Sequence, residues 1–163
     1  MVAVPRTILV SACLLGLKTR YDGECRKNAA VIEYLQNNGW TPIPICPEQL
    51  GGLPTPRPEV VFRAGDGTSL TPGVGQLVNN RSEDVGFAFI RGAQQATAIA
   101  QICGCTTALL KERSPSCGVN SIYRNGTLVK GAGVTTAHLM KAGLKIFSEE
   151  NLIVKHLKNK EGE

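Results

Sequence analysis

Residues 7–13 read Thr7-Ile8-Leu9-Val10-Ser11-Ala12-Cys13, a short apolar run that includes β-branched side chains. It does not alternate between apolar and polar positions, which predicts a strand buried on both faces. Strands of that kind belong to parallel sheets covered by helices, and the segments downstream fit one. Residues 27–38 carry Ala29, Ala30, Val31, Ile32, Tyr34 and Leu35 ahead of Asn38-Gly39 and predict a helix with a glycine stop. Residues 41–46 predict a second strand, and Pro42 and Pro44 suit it to an edge. Residues 47–80 are rich in Pro and Gly and read as a long loop of the kind that is functional or mobile. Ser82, Glu83 and Asp84 predict the start of the longest helix, over 83–102, with acids at its positive dipole end and closure near Gly104. A third buried strand follows at 106–111, then a loop at 112–119. Asn125-Gly126 between Ile122-Tyr123 and Thr127-Leu128-Val129 predicts a hairpin. A helix over 134–142 ends at Gly143, a fourth strand covers 144–147, and a polar tail begins at about residue 151. This alternation predicts an α/β fold with Rossmann-like or flavodoxin-like layering, a mainly parallel sheet and helices on both faces. Ligands of such sheets bind beyond the carboxyl ends of the strands.

The chain has 163 residues, which predicts one domain over 1–163. With 42% hydrophobic and 19% charged residues, its composition is that of a folded globular chain and excludes wholesale disorder. A core of this size buries roughly 70% of the unfolded surface and needs no staple. The net charge of +5 permits an anionic partner without requiring one. No apolar run reaches the roughly 18 residues of a membrane span. Val10-Ser11-Ala12-Cys13 imitates a lipobox, but only Thr7-Ile8-Leu9 separates it from Arg6, against the roughly 7–15 apolar residues of a secretory signal. The expected location is the cytoplasm.

Six cysteines stand at 13, 25, 46, 103, 105 and 117. In a reducing compartment such thiols are more often metal-binding or catalytic than disulfide-bonded. Cys13 ends the first predicted strand, Cys46 ends the second, and Cys117 lies in the loop after the third. In a parallel sheet these three thiols project at one edge, the edge where ligands bind. Converging soft thiolates suit zinc or an iron–sulfur cluster. A structural zinc site usually shows local Cys-x₂₋₄-Cys pairs and four ligands, and no such pair exists here. The competing reading of Cys13 and Cys46 is that each is a buried small hydrophobe.

Three longer motifs surround these cysteines. They are Ser11-Ala12-Cys13-Leu14-Leu15-Gly16 with Arg20-Tyr21-Asp22-Gly23, the run from Cys46-Pro47-Glu48-Gln49-Leu50-Gly51-Gly52-Leu53 to Pro54-Thr55-Pro56-Arg57, and Leu110-Lys111-Glu112-Arg113-Ser114-Pro115-Ser116-Cys117-Gly118. In this order they resemble the domain of unknown function 523 family, whose characterised members are thiouracil desulfurases (desulfidases). The resemblance runs from about residue 7 to 150. It implies a 4Fe–4S cluster held by Cys13, Cys46 and Cys117, with one iron free to take the thiocarbonyl sulfur of a small thiolated pyrimidine. The sulfur leaves as hydrogen sulfide, water supplies the oxygen, and no net redox change is needed. The chain departs from the family at Thr19, where many members carry a cysteine.

Other positions carry paired readings. Glu48, two residues after Cys46, is a general acid/base or a cap of the following turn. Ser114 and Ser116 are hydroxyls for substrate or proton relay or turn caps, and the resemblance implies Ser114 as the catalytic serine. Asp22 is a substrate contact or an Asx-turn residue. Cys103 and Cys105 read as packing, Cys25 as a loop thiol, and His138 and His156 as surface or packing residues. Gly131-Ala132-Gly133 reads as a hairpin-to-helix turn, with phosphate binding as the weaker alternative. Lys18, Arg20, Arg26, Lys27, Arg57, Arg63, Lys111 and Arg113 cluster near the motifs, either as a solvated rim or as a field for a nucleotide or tRNA. The resulting expectation is a 4Fe–4S enzyme acting on 2- or 4-thiouracil or a nucleoside. The alternatives are a desulfidase for 4-thiouridine in tRNA, a non-catalytic iron–sulfur or zinc carrier or sensor, and a cluster-free hydrolase using Cys117. The last would need a His partner.

Overall fold

The computed structural model describes residues 2–152; His156 and the polar tail beyond Leu152 lie outside them. The first sheet is built from β1 (Arg6–Ser11), β2 (Trp40–Ile45), β5 (Thr107–Leu110) and β8 (Lys145–Ser148), in the order β2-β1-β5-β8. All three pairings are parallel, as the unbroken apolar runs predict. β2 stands at an edge, where Pro42 and Pro44 remove no central ladder bond.

Helices cover both faces. Ile8, Val10 and Leu109 pack with Val31 and Leu35 of α1 (Ala29–Asn37). Leu9, Ala108 and Leu110 pack on the other face with Ala96 and Ala100 of α4 (Gly86–Ile102) and Leu139 of α5 (Val134–Lys141). Alternate residues of β1 and β5 therefore face opposite helical layers, and the consecutive apolar residues Ile8, Leu9 and Val10 of β1 and Ala108, Leu109 and Leu110 of β5 are all fully buried.

Residues 47–80 correct the expectation of a plain loop. They hold α2 (Pro47–Leu50), β3 (Val60–Ala64), α3 (Gly67–Leu70) and β4 (Gln76–Asn79). β3 and β4 join the hairpin of β6 (Ser121–Arg124) and β7 (Thr127–Lys130) in a second sheet of order β4-β3-β6-β7. This sheet is mixed: β3 pairs antiparallel with β4 and parallel with β6. Its inner side chains Phe62, Leu77 and Ile122 pack against Phe89 and Ala93, so one helix, α4, serves both sheets. The hairpin turns at Asn125 and Gly126, with φ of 49° and 76°, the conformation that favours this residue pair.

The start of α4 also differs from expectation. Ser82 is not its cap but takes a φ of 62° inside a turn organised by Asn79, whose Oδ1 accepts from the Arg81 and Glu83 N–H groups. Asp84 Oδ1 accepts instead from Gly86 N at 2.8 Å, and the helix begins three residues later than predicted.

Candidate active site

The cysteines near the carboxyl ends of the parallel strands leave those strands in three ways. Cys13 sits in a 3-10 turn, Ala12–Leu15, directly after β1. Cys46 follows β2 and is the residue before the first turn of α2, with Pro47 at the first helical position. Cys117 lies in the loop between β5 and β6. All three line one cavity of about 280 Å³, together with Ser11, Arg57, Lys111 and Ser116. Cys25, Cys103 and Cys105 do not line it.

The loop that carries Cys117 is held at both ends. Glu112, only 2% exposed, accepts through Oε1 from the backbone N–H groups of Val119, Asn120 and Ser121 and through Oε2 from Asn120 Nδ2. Burial pushes the Glu112 carboxyl up, and the bonds from Asn120, Ser121 and Val119 more than reverse this, leaving it below its ordinary value. At the other side, the first N–H groups of α5 point at the same loop. Val134 N donates to Pro115 O at 3.0 Å, Thr135 N to Ser116 O at 2.8 Å, and Thr136 Oγ1 to Cys117 O at 3.0 Å. The Gly131-Ala132-Gly133 turn thus delivers a helix start to the cysteine loop, and the donors that a phosphate would need are already used. A side chain at Gly133 would overlap the Ser116 backbone, so the close approach requires glycine.

Glu48 reaches the thiols as its spacing from Cys46 suggests. Its Oε2 lies 3.6 Å from Cys46 Sγ, and its Oε1 accepts from Ser116 Oγ at 2.8 Å. Ser116 Oγ is 3.0 Å from Ser114 Oγ and 3.5 Å from Cys117 Sγ. Ser114 Oγ accepts from the backbone N–H groups of Ser116 and Cys117. With its lone pairs so engaged, its own proton is directed to Ser116 Oγ, and that hydroxyl donates to Glu48. The hydroxyl in direct contact with Glu48 is therefore Ser116, and Ser114 stands one step behind it while lining the cavity.

Asp22 does not line the cavity. Its Oδ1 accepts from Glu24 N two residues on, the Asx-turn arrangement, and its carboxylate pairs with Arg20 at 3.3 Å. The Arg20 guanidinium holds this carboxyl below its ordinary range.

Without a metal the thiols are neutral. Burial, reinforced by the nearby Glu48 carboxylate, pushes Cys13 up to about 11 and raises Cys46 and Cys117 as well. Positive groups oppose the shift: Lys111 and Arg20 for Cys13, and Arg57 for Cys46. Arg57 stands out among the eight basic residues near the motifs. Its side chain is 6% exposed, with Nη2 donating to Thr19 O at 2.9 Å and lying 3.9 Å from Glu48 Oε2 and 4.0 Å from Cys46 Sγ. Lys111 Nζ meets Glu149 Oε1 at 2.7 Å. Arg63, in contrast, donates to Ser82 and is not among the lining residues. Thr19 lines the cavity, although its hydroxyl is a poor ligand for soft metals.

The rest of the cavity lining comes from the second sheet and from α4. Val60, Val61, Phe89 and Tyr123 line it. None of these was a candidate from sequence, because Val60 and Val61 lie inside a Pro- and Gly-rich stretch and Phe89 and Tyr123 lie outside the motifs.

Among the described residues no group of three or more His, Cys, Asp and Glu side chains is gathered so as to hold a single metal ion. The donor set is instead three unpaired soft thiols from three segments, placed around one cavity. That set fits a polynuclear iron–sulfur centre, in which each thiolate binds a different metal atom.

Comparison with known proteins agrees with this chemistry. The chain is 36% identical over 149 residues to the "Uncharacterized protein YbbK" of Bacillus subtilis (strain 168), covering 89% of this chain and 97% of that protein. It resembles a solved structure described as the [4Fe-4S]-dependent thiouracil desulfidase TudS, with a TM-score of 0.78 and 38% identity, covering 95% of this chain and 98% of that one. A family model described as 2-thiouracil desulfurase matches residues 8–151, the span that contains every residue of the cavity and both sheets apart from Arg6 and Thr7 of β1, and the chain is a member of the 2-thiouracil desulfurase family.

Proposed function

We propose that this chain is a cytoplasmic iron–sulfur desulfidase, one domain over 1–163, that converts the thiocarbonyl of a small thiolated pyrimidine to a carbonyl. The balanced reaction is C=S plus water giving C=O plus hydrogen sulfide, with no electron donor or acceptor. The substrates are 2- or 4-thiouracil or their nucleosides. The observation that carries the reading is the meeting of Cys13, Cys46 and Cys117 in one cavity with the hydrogen-bonded pair Glu48 and Ser116.

The three thiols are the ligands of a 4Fe–4S cluster, which supplies a sulfur-seeking Lewis-acidic metal when bound. Binding must displace their protons, and the positive groups of Lys111, Arg20 and Arg57 favour that loss. Glu48 moves the proton: it takes one from the attacking water and returns one to the departing sulfur. Ser116 fixes the carboxylate that does so, and Ser114, at the cavity surface, connects it to the substrate side. Val60, Val61 and Phe89 provide an apolar wall that excludes competing water. Asp22 contributes by shaping the loop that carries Arg20. A carrier or sensor would have no use for a carboxylate and a hydroxyl aligned beside the thiols. A thiolated tRNA is the second substrate class to test.

The test joins two measurements on one anaerobic preparation. Iron, sulfide and the visible spectrum give the cluster content. Loss of 4-thiouracil absorbance with stoichiometric hydrogen sulfide gives turnover, with thiolated tRNA run in parallel. A full cluster with no sulfide released from thiouracil overturns the reading in favour of a carrier or sensor. Release from tRNA alone replaces the substrate.

No helix among the described residues is long and apolar enough to cross a membrane.

A further inference from the structure

The cavity has two unlike walls, and the proposed cluster ligation and proton transfer use only one. The thiols, Glu48 and the serines account for the wall at the end of the parallel sheet. The rest of the lining is Val60, Val61, Phe89 and Tyr123, of which Val60 and Phe89 pack in the core between the second sheet and α4. β3 and β6 run parallel with Phe62 beside Arg124, which sets Val61 beside Tyr123. Phe62 and Ile122 point inward and are fully buried, so the alternation along each strand turns Val61 and Tyr123 outward. Both residues line the cavity. Tyr123 is 42% exposed, and Leu128, its cross-strand partner in the hairpin, is 45% exposed on the same outer face.

Tyr123 has no hydrogen bond from its hydroxyl to account for this placement among the described contacts, and its ring is not part of the core. A large aromatic side chain left open at the rim of a cavity is a feature that asks for a flat partner. Tyr21, the other tyrosine of the cavity, already has the Arg20 guanidinium 5.4 Å from its ring centre.

We propose that Tyr123 is the substrate-ring platform: the heteroaromatic ring of the thiolated pyrimidine packs on it and on Val61, which turns the thiocarbonyl toward the cysteines on the facing wall. This assignment rests on the desulfidase reading and specifies which residue binds the ring. Every base has a π face, so the contact sets ring binding and leaves the choice of sulfur position to the opposite wall. Leu128, one strand further out, does not line the cavity.

The test compares Tyr123→Ala, Tyr123→Phe and Leu128→Ala with the wild-type holoenzyme at matched iron content. Loss of one stacked base costs on the order of tenfold in affinity. Tyr123→Ala is expected to raise KM for 4-thiouracil about tenfold with kcat unchanged, and Tyr123→Phe to keep the wild-type KM. Leu128→Ala, which alters the same hairpin, is expected to leave both constants unchanged. A second readout is inhibition by uracil, the oxo product. Uracil has no sulfur, so its inhibition constant reports ring contact alone and is expected to rise in parallel for Tyr123→Ala. An active Tyr123→Ala enzyme with unchanged KM and uracil inhibition overturns the platform while leaving the desulfidase reading intact. A wild-type protein with its full cluster that neither converts 4-thiouracil nor binds uracil overturns both.

Discussion

Ser116 Oγ donates to Glu48 Oε1 at 2.8 Å, joining residues 68 positions apart in sequence. This bond links α2 to the loop after β5 across the cysteine cavity. It also fixes which oxygen of Glu48 is held and leaves Oε2 toward Cys46 Sγ at 3.6 Å. Glu48→Gln keeps the size and one carbonyl oxygen but cannot exchange a proton. Turnover is expected to fall by at least about a hundredfold with iron content unchanged. Ser116→Ala is expected to lower kcat less severely, because it frees the carboxylate without removing it. Iron content and desulfuration rate on the same sample decide: a joint loss of iron and activity assigns Glu48 a structural or ligand role.

Arg57 sits between that carboxylate and the thiol. Once Cys46 is a thiolate, Sγ and Glu48 Oε2 are two negative groups in contact, and the Arg57 guanidinium is 4.0 Å and 3.9 Å from them. It also pins the loop that carries Thr19 and Tyr21, through Nη2 to Thr19 O and its backbone N–H to Tyr21 O at 2.8 Å. Arg57→Lys keeps the charge and loses the fork of donors, so these partners cannot all be met at once. A shift of about an ångström in a proton-transferring group costs roughly a hundredfold. That loss in kcat is expected for Arg57→Lys, and a wild-type rate in this variant shows that charge alone suffices.

Gly133 faces the backbone of Ser116 closely enough that any Cβ overlaps it. Gly133→Ala must push the loop of Cys117 away from the start of α5, breaking the bonds from Val134 and Thr135. Overpacking of this kind costs about 1–3 kcal/mol. The expected result is a lower melting temperature together with reduced iron content. A variant of unchanged stability and full iron shows that the loop relaxes freely.

The parallel sheet and its ligand edge are legible in the sequence because Ile8-Leu9-Val10 and Ala108-Leu109-Leu110 are unbroken apolar runs, a pattern that two covered faces explain. The hairpin is legible from Asn125-Gly126 alone. The second sheet is not. Val60-Val61-Phe62 is a strand by composition, yet prolines at 54, 56 and 58 and glycines at 65 and 67 enclose it. Its partner β6 lies some 60 residues away, and a partner that distant leaves no local trace. The site divides in the same manner. Cysteines and Glu48 announce themselves by motif, whereas Arg57 as a bridging group and Tyr123 as a wall depend on tertiary contacts. Ser114 and Ser116 are separable only once the direction of each hydroxyl is known.

Glu112 predicts a pH dependence. Its carboxyl is held below its ordinary value in the folded protein by the N–H groups of residues 119–121, despite burial. A depressed folded value means that the stabilisation is present above the unfolded value, about 4.3, and is lost as pH falls through the folded one. Glu112→Gln places an amide N–H₂ group against Asn120 Nδ2 and removes the charge. The cost at pH 7 is expected to be about 2 kcal/mol. Denaturant midpoints of wild type and variant, followed from pH 7 to pH 3, are expected to converge as the acid limit is approached. A constant gap across that range shows that Glu112 stabilises as a shape and not as a charge.

The ligand set of three can be separated from the remaining cysteines by iron content. Cys13, Cys46 and Cys117 line one cavity, and each is fixed by a different device: a 3-10 turn, the proline-led start of α2, and the loop clamped by Glu112 and α5. Cys105 is buried in the core beside Ala100 and Ala108, Cys103 packs at its margin, and Cys25 lies in the loop ahead of α1. Cys→Ala at 13, 46 or 117 removes a thiolate that no neighbouring side chain can replace, since Thr19 offers only a hydroxyl and Glu48 is held by Ser116. Each of these three variants is expected to lose most of its iron and its visible absorption, with no activity. Cys→Ala at 25, 103 or 105 is expected to keep both, and Cys105→Ala, which removes a buried sulfur, also to lower thermal stability by about 1 kcal/mol. Full iron in Cys46→Ala would remove Cys46 from the set and make Cys25 the next thiol to test, because it lies one residue before Arg26, whose N–H donates to Cys13 O at 2.9 Å.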